Sequence, residues 1–173
     1  MYENEWTDAF TELTDQKGLP DKDSINILID ILKEIRQLCA KEVEMQLSRV
    51  QRDTEVASEV NLSKSKDSLK SSAVKYIPDL IQKITHETDS VSKKVFIHKD
   101  SCSSYIDKCI QICYYAELQD PPMFILFEPG QDFDKQCFKE YTKSGTTVDY
   151  LVWPAFFLHK DGPLMSKGVV QPR

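Results

Sequence analysis

Apolar residues recur every three or four positions from Ser24 to about Val60, which is the spacing of one face of an α-helix. The stripe consists of Ile25, Leu28, Leu32, Ile35, Cys39, Val43, Leu47 and Val50. Before Lys41, additional isoleucines make the helix apolar nearly all round, which predicts packing on several sides. Beyond Lys41 the stripe narrows. This narrower part is typical of a core helix with a solvated face, or of a coiled-coil seam.

Three shorter stretches also have helical spacing. They are residues 3–16, the region from Ser72 to His86 and the region from Ser101 to Leu118. Within the second stretch, Pro78 predicts either a kink or the true first turn of the helix. Residues 61–72 lie between the long helix and this stretch and are rich in Ser and Lys, which predicts a loop or linker.

The C-terminal part changes character. β-Branched and aromatic residues dominate from Thr146 to Leu158, and a turn at residues 160–163 leads into a second apolar run over 164–170. This arrangement predicts a β-hairpin, whereas the preceding stretch from Phe133 to Tyr141 has the spacing of a short helix. The sequence therefore predicts a mainly α (α+β) fold, with a long N-terminal helix and a short C-terminal β-hairpin.

Composition supports a folded chain. Of the 173 residues, 40% are hydrophobic and they are spread along the whole length, so one domain with a sizeable core is expected. No run of apolar residues is long enough to span a bilayer, and the acidic N-terminus lacks a secretory signal pattern. The net charge of −6 belongs to residues 1–30, which hold eight acids and two lysines. The remainder is neutral, so the net charge does not exclude an anionic ligand.

Five cysteines, an odd number without framework spacing, favour reduced thiols that act as small hydrophobic residues. Cys109 and Cys113 are four residues apart on a predicted helix, but no CxxC motif or histidine pair completes a metal site. The sequence therefore predicts no metal ligands.

Motifs of catalysis and of nucleic-acid binding are also missing from the sequence. It contains no G-x-S-x-G, no Gly-rich phosphate loop and no H-E-x-x-H, so we expect neither catalytic residues nor a cofactor. The longest basic cluster, Lys64, Lys66 and Lys70, lies in the predicted loop beside Asp67. A solvated linker explains this cluster better than a nucleic-acid face does. The chain is predicted to be neither an enzyme nor a nucleic-acid binder.

Two dipeptides stand out in the C-terminal hairpin. Trp153-Pro154 joins an aromatic ring to a residue without an N–H group, and Lys167-Gly168 places a charge inside an apolar strand. Lys167 is explained either by a side chain that extends into solvent from a half-exposed strand or by a ligand.

These dipeptides belong to a longer pattern. Its elements are Leu151-Val152-Trp153-Pro154-Ala155, then Gly162-Pro163-Leu164, then Ser166-Lys167-Gly168-Val169-Val170. The pattern resembles the C-terminal domain of the mitochondria-eating protein family, and the segments Pro121-Pro122-Met123 and Glu128-Pro129-Gly130 are similar to those that precede it there. The resemblance is clearest over residues 95–173.

The resemblance implies a role in mitochondrial quality control. Members of that family are cytosolic proteins that are recruited to damaged mitochondria, and their C-terminal domain is associated with binding cardiolipin. We therefore expect an N-terminal helical segment over 1–60 that packs on the core, a loop or linker over 61–72, and a family-like domain core over 73–173, all within one globular unit. The chain is much shorter than a full-length member and resembles the isolated C-terminal domain or a short relative.

Binding of cardiolipin requires cations beside an apolar groove. Lys167 and Trp153 are expected to take part because they lie on the matching motif. Charge and proximity in sequence add Lys93, Lys94, Lys99, Lys160 and His159. Phe156 and Phe157 are candidate interfacial residues, because aromatic rings favour the membrane interface.

The preferred interpretation is a non-enzymatic domain that binds cardiolipin-type anionic phospholipid on the mitochondrial membrane surface. The alternative is a protein-interaction or self-assembly module, in which residues 41–60 of the long helix form an intermolecular seam.

Overall fold

The computed structural model describes residues 3–53, 59–86 and 97–173. Its helices are α1 (Glu3–Thr11), α2 (Asp21–Asp53), α3 (Glu59–His86) and α4 (Ser103–Glu117), with a single π turn at Glu12–Gln16 after α1. Its strands are β1 (Phe124–Leu126), β2 (Phe138–Glu140), β3 (Val148–Trp153), β4 (Ala155–Phe157), β5 (Leu164–Ser166) and β6 (Gly168–Pro172). The prediction of a mainly helical α+β fold with C-terminal strands is confirmed.

Helix α2 contacts two hydrophobic cores through different faces. Leu28, Leu32 and Ile35 belong to a core formed among the helices. Ile25 and Ile29 belong to a second core, which is closed by the C-terminal strands. The all-round apolar character of the first half of this helix therefore reflects packing on several sides, as predicted.

The cysteines contribute to the helical core. All five are free, and Cys39, Cys102, Cys109 and Cys113 are buried. Burial raises the pKa of the Cys113 thiol to about 12 and that of Cys102 to about 11. These thiols therefore stay protonated at neutral pH, which agrees with the prediction that they act as small hydrophobic residues.

Helix α3 corrects the prediction of a loop or linker over residues 61–72, because this segment is helical. The serine hydroxyls that suggested a loop donate hydrogen bonds to carbonyl oxygens four residues earlier, from Ser71 to Asp67 and from Ser72 to Ser68. Lys66 is buried, and its Nζ donates to the carbonyl oxygen of Gln119 at 2.9 Å. A tertiary contact thus holds a segment whose composition alone favours a loop. Pro78 lies inside α3.

The strands form two three-stranded sheets. In the first sheet the order is β1-β4-β5 and all pairs are antiparallel; in the second it is β2-β6-β3, with β2 parallel and β3 antiparallel to β6. The predicted hairpin is confirmed, but it is divided between the sheets. One arm changes sheet at Pro154, between β3 and β4, and the other at Lys167, between β5 and β6. Strands that change sheets form the corners of such packings, and proline suits the position because it has no N–H group to pair.

Gly168 lies at this corner. A Cβ atom at this position would lie 2.6 Å from the carbonyl oxygen of Trp153 and 2.7 Å from the amide nitrogen of Ala155. Both atoms belong to the backbone, so the two arms of the hairpin approach each other this closely only because residue 168 is glycine.

The stretch from Phe133 to Tyr141 also departs from the prediction, because it forms no α-helix. Phe138 is buried in strand β2, which pairs with β6. Just before it, the Asp134 carboxylate accepts a hydrogen bond from the backbone N–H of Gln136 at 2.7 Å, a local bond that competes with helix formation. Pairing with a distant strand decides the structure here, and short-range spacing does not show it.

Candidate lipid-binding groove

A surface groove lies between helix α4 and the first sheet, with a volume of about 410 Å³. Its lining combines residues of α4, of the segment that follows it and of the C-terminal strands. These residues are Lys108, Gln111, Ile112, Tyr115, Ala116, Gln119, Met123, Trp153, Phe156, Met165 and Ser166. The change of sheet at Pro154 separates Trp153 from Phe156 and still leaves both on this surface.

Aromatic and thioether side chains form the apolar wall of the groove. The rings of Trp153 and Phe156 stack with centroids 6.1 Å apart. Met165 is 58% exposed and Tyr115 is 36% exposed, although both are large apolar side chains. Exposed apolar residues that adjoin one another mark a surface for binding more often than isolated ones do.

The charge of the groove has one sign. Lys108, which is half-buried on α4, is the one charged residue that lines it, and no aspartate or glutamate does so in the part of the chain that the structure describes. The described lining therefore contributes one cation and no anion, although the whole chain carries −6. An apolar surface beside a cation suits an anionic amphiphile.

Of the residues predicted for lipid binding, Trp153 and Phe156 line this groove, whereas Phe157 does not. Phe157 packs against the second core, and its ring lies 6.0 Å from that of Phe124. Lys167 is exposed, and its Nζ donates to the carbonyl oxygen of Lys135 at 2.6 Å. It does not line the groove, so only Trp153 of the two residues of the matching motif does so.

The other predicted cations that the structure describes lie outside the lining of the groove. His159 and Lys160 lie in the turn between β4 and β5, where the His159 Nδ1 atom is 2.8 Å from the Lys160 carbonyl oxygen. Lys99 is half-buried just before α4. Lys93 and Lys94 fall outside the described residues. Since none of the described three lines the groove, their roles in binding stay predictions.

Lys108 was missed by reasoning from the sequence. It lies on the predicted helix from Ser101 to Leu118, about 45 residues before Trp153, and nothing in the spacing joins the two. The feature of the sequence that could have pointed to Lys108 was its position on a predicted helix whose opposite face is apolar.

Two features are absent from residues 3–53, 59–86 and 97–173. No helix there is long and apolar enough to cross a membrane. Among the same residues, no three or more His, Cys, Asp or Glu side chains form a group that could hold a metal ion.

The fold and groove define an α+β domain with a cationic, apolar surface at the junction of its helices and C-terminal strands. The model of the family described as "Mitochondria-eating protein" matches residues 1–172, and the chain belongs to this family. The match includes the N-terminal helices, where the sequence resemblance was less clear. No curated protein and no solved structure matches the chain. Membership indicates a role in mitochondrial quality control and an association with mitochondria.

Proposed function

We propose that this chain is a non-enzymatic domain that binds anionic phospholipid of the cardiolipin type on mitochondrial membranes. The groove between α4 and the first sheet is the proposed site. One observation carries the proposal: the groove combines an exposed apolar wall with a lysine and has no acidic residue in its described lining. Recruitment from the cytoplasm to the membrane surface follows from reversible binding of this kind.

The chemistry of the lipid matches the groove. Cardiolipin has two phosphates and four acyl chains, so a binding surface needs cations next to apolar area. Trp153 and Tyr115 are amphipathic aromatic residues, which favour the headgroup level of a membrane. The volume of about 410 Å³ lies in the range of ordinary ligand pockets and is large enough for part of one acyl chain.

Cations around the groove provide a second, weaker contribution. Each lysine held near an anionic membrane surface contributes about 1 kcal/mol. Lys160 and Lys167 are exposed, and together with His159 they are proposed to reach the headgroup region while Lys108 lies at the groove itself. This part of the binding free energy weakens as salt concentration rises.

Met165→Glu is expected to reduce binding to vesicles that contain cardiolipin by about tenfold, because a charge on the apolar wall must be dehydrated and also repels the anionic lipid. Co-sedimentation with phosphatidylcholine vesicles, with and without cardiolipin, measures the effect. Met45→Glu is the matched control, since Met45 is 42% exposed on α2, outside the groove.

The proposal fails if both methionine variants lose binding equally, or if wild-type protein binds pure phosphatidylcholine vesicles as well as those with cardiolipin. Thermal melting of both variants shows that the fold is intact, because both side chains are exposed and substitutions at such positions change stability little.

Self-assembly through residues 41–60 stays a second prediction. Val43 and Leu47 of its stripe pack in the helical core, so part of the proposed seam is already used within the chain. Met45 is the exposed apolar residue of that segment of α2. The observations therefore favour lipid binding over self-assembly.

A further inference from the structure

A second cavity, of about 420 Å³, lies among helices α2, α3 and α4 and shares no lining residue with the groove. Its lining is more polar than that of the groove. It consists of Gln46 and Arg49 from α2, Leu69, Ser72, Lys75, Tyr76 and Asp79 from α3, and Tyr114 from α4.

The base of this cavity is a fixed polar network. The Glu42 carboxylate accepts hydrogen bonds from the Tyr76 hydroxyl at 2.6 Å and from the Lys83 ammonium at 2.7 Å. Gln46 donates to the same carboxylate at 3.2 Å and accepts from the Tyr114 hydroxyl at 2.8 Å. These side chains are therefore held in place before any ligand arrives, which reduces the entropy cost of binding.

Burial makes this network unusual. Glu42 is 3% exposed and Gln46 is 9% exposed, and both belong to the small set of buried polar residues in the described chain. Burying a charge together with its partners is often no better for stability than a hydrophobic cluster of the same size. Stability alone therefore does not explain why a polar base lies under this cavity.

The walls of the cavity carry excess positive charge. Lys83 compensates the charge of Glu42, which leaves Arg49 on α2, Lys75 on α3 and Asp79 on α3. Among the side chains that the structure describes, neither Arg49 nor Lys75 has an ion-pair partner, although the lysines at 22, 66, 70 and 83 each have one. Two cations from facing helices thus line one cavity with a single acid.

We infer that this cavity binds a phosphate group. A guanidinium presents donors in a planar fork that matches phosphate oxygens, and an ammonium adds a point charge. The Ser72 hydroxyl also lines the cavity, and the half-buried Tyr76 ring, whose centroid lies 5.7 Å from that of Tyr114, gives an apolar surface for the group that carries the phosphate. The phosphate belongs either to a soluble ester or to a lipid headgroup, and the chemistry of recognition is the same.

Titration with inorganic phosphate at constant ionic strength, monitored through the NMR chemical shifts of the backbone amides, tests this inference. Saturable shifts are expected around Ser72 and Lys75. The double variant Arg49→Gln/Lys75→Gln is expected to bind phosphate at least about tenfold more weakly, because it loses both charge-assisted contacts. The matched control is Lys41→Gln/Lys64→Gln, which removes the same charge from exposed positions on the same two helices outside the cavity.

The substitution Asp79→Asn is expected to change phosphate affinity in the opposite direction. It removes the one acid of the lining, so phosphate binding is expected to tighten about threefold, which a merely damaged fold would not produce. Equal weakening in the two double variants, no saturable shifts, or weaker binding by Asp79→Asn would overturn the inference.

Measuring how the same double variant binds vesicles distinguishes the two sources of phosphate. If Arg49→Gln/Lys75→Gln also loses binding to cardiolipin-containing vesicles, the cavity holds a lipid headgroup. If vesicle binding is unchanged while binding of inorganic phosphate is lost, the natural ligand is a soluble ester. Both results support a phosphate site, and neither depends on whether Met165→Glu releases the protein from vesicles.

Discussion

Replacing Gly168 by alanine is expected to lower the free energy of unfolding by about 3 kcal/mol, and the melting temperature by about 10 °C. The added methyl group would overlap backbone atoms of Trp153 and Ala155, at 2.6 and 2.7 Å, and the Phe138 ring at 2.6 Å. Backbone atoms of paired strands have little room to move, so the corner between the two sheets must open. Thermal and denaturant unfolding measure the loss.

Gly130→Ala is the matched control for this substitution. A Cβ atom at Gly130 would meet nothing within 4 Å, so the expected change in the free energy of unfolding is within about 0.5 kcal/mol. If Gly168→Ala were as stable as Gly130→Ala, the close approach of the two hairpin arms would be wrong. The matching motif would then need an explanation other than packing.

Glu42→Gln is expected to destabilise the fold by about 2–3 kcal/mol at neutral pH. The substitution leaves the Lys83 ammonium without its carboxylate partner and weakens the hydrogen bond from Tyr76. Glu44→Gln is the control, because Glu44 is exposed on the same helix. Urea unfolding of the three proteins at neutral pH gives the difference.

The same substitution has a defined pH dependence. Burial opposes ionisation of Glu42, but hydrogen bonds from Lys83 and Tyr76 outweigh it and lower the pKa of this carboxyl below its ordinary value of 4.5. A carboxyl with a lowered folded pKa stabilises the fold while ionised. The greater free energy of unfolding of wild type relative to Glu42→Gln is therefore fully present above pH 4.5, and it shrinks as pH falls through the folded pKa of Glu42.

The quantity to measure is the difference in free energy of unfolding between wild type and Glu42→Gln, because Glu117 changes stability with pH in the opposite direction. Burial raises the pKa of the Glu117 carboxyl, and the neighbouring Arg36 only partly offsets this. Its stabilising contribution is lost as pH rises, which partly masks the effect of Glu42 in wild type alone. A difference that stayed constant down to acid pH would show that Glu42 is not ionised in the folded chain.

Periodicity predicted much of the fold because the apolar spacing of α2 and α4 is regular over many turns. It failed where a distant partner determines the structure. Residues 61–72 are helical because Lys66 reaches Gln119 and the serine hydroxyls satisfy carbonyls of their own helix. Strand β2 depends on β6, 30 residues further along the chain. Neither contact leaves a local pattern.

The candidate site was predicted in part for the same reason. Trp153 and Phe156 were identified because an aromatic-rich strand beside a proline is visible in the sequence. Lys108 and Met165 were not, since their proximity to Trp153 depends on how α4 packs against the first sheet. Lys167 was predicted from the motif, and its neighbour Gly168 now has a packing explanation of its own.

Quenching of Trp153 fluorescence by lipids brominated in their acyl chains tests lipid binding at the groove most directly. The chain has two tryptophans, and Trp6→Phe removes the other one while keeping an aromatic ring against Phe10. We predict quenching with brominated vesicles that contain cardiolipin, and none with brominated phosphatidylcholine alone. Unchanged Trp153 emission from protein that co-sediments with the cardiolipin vesicles would contradict the account, because the lipid would then bind elsewhere.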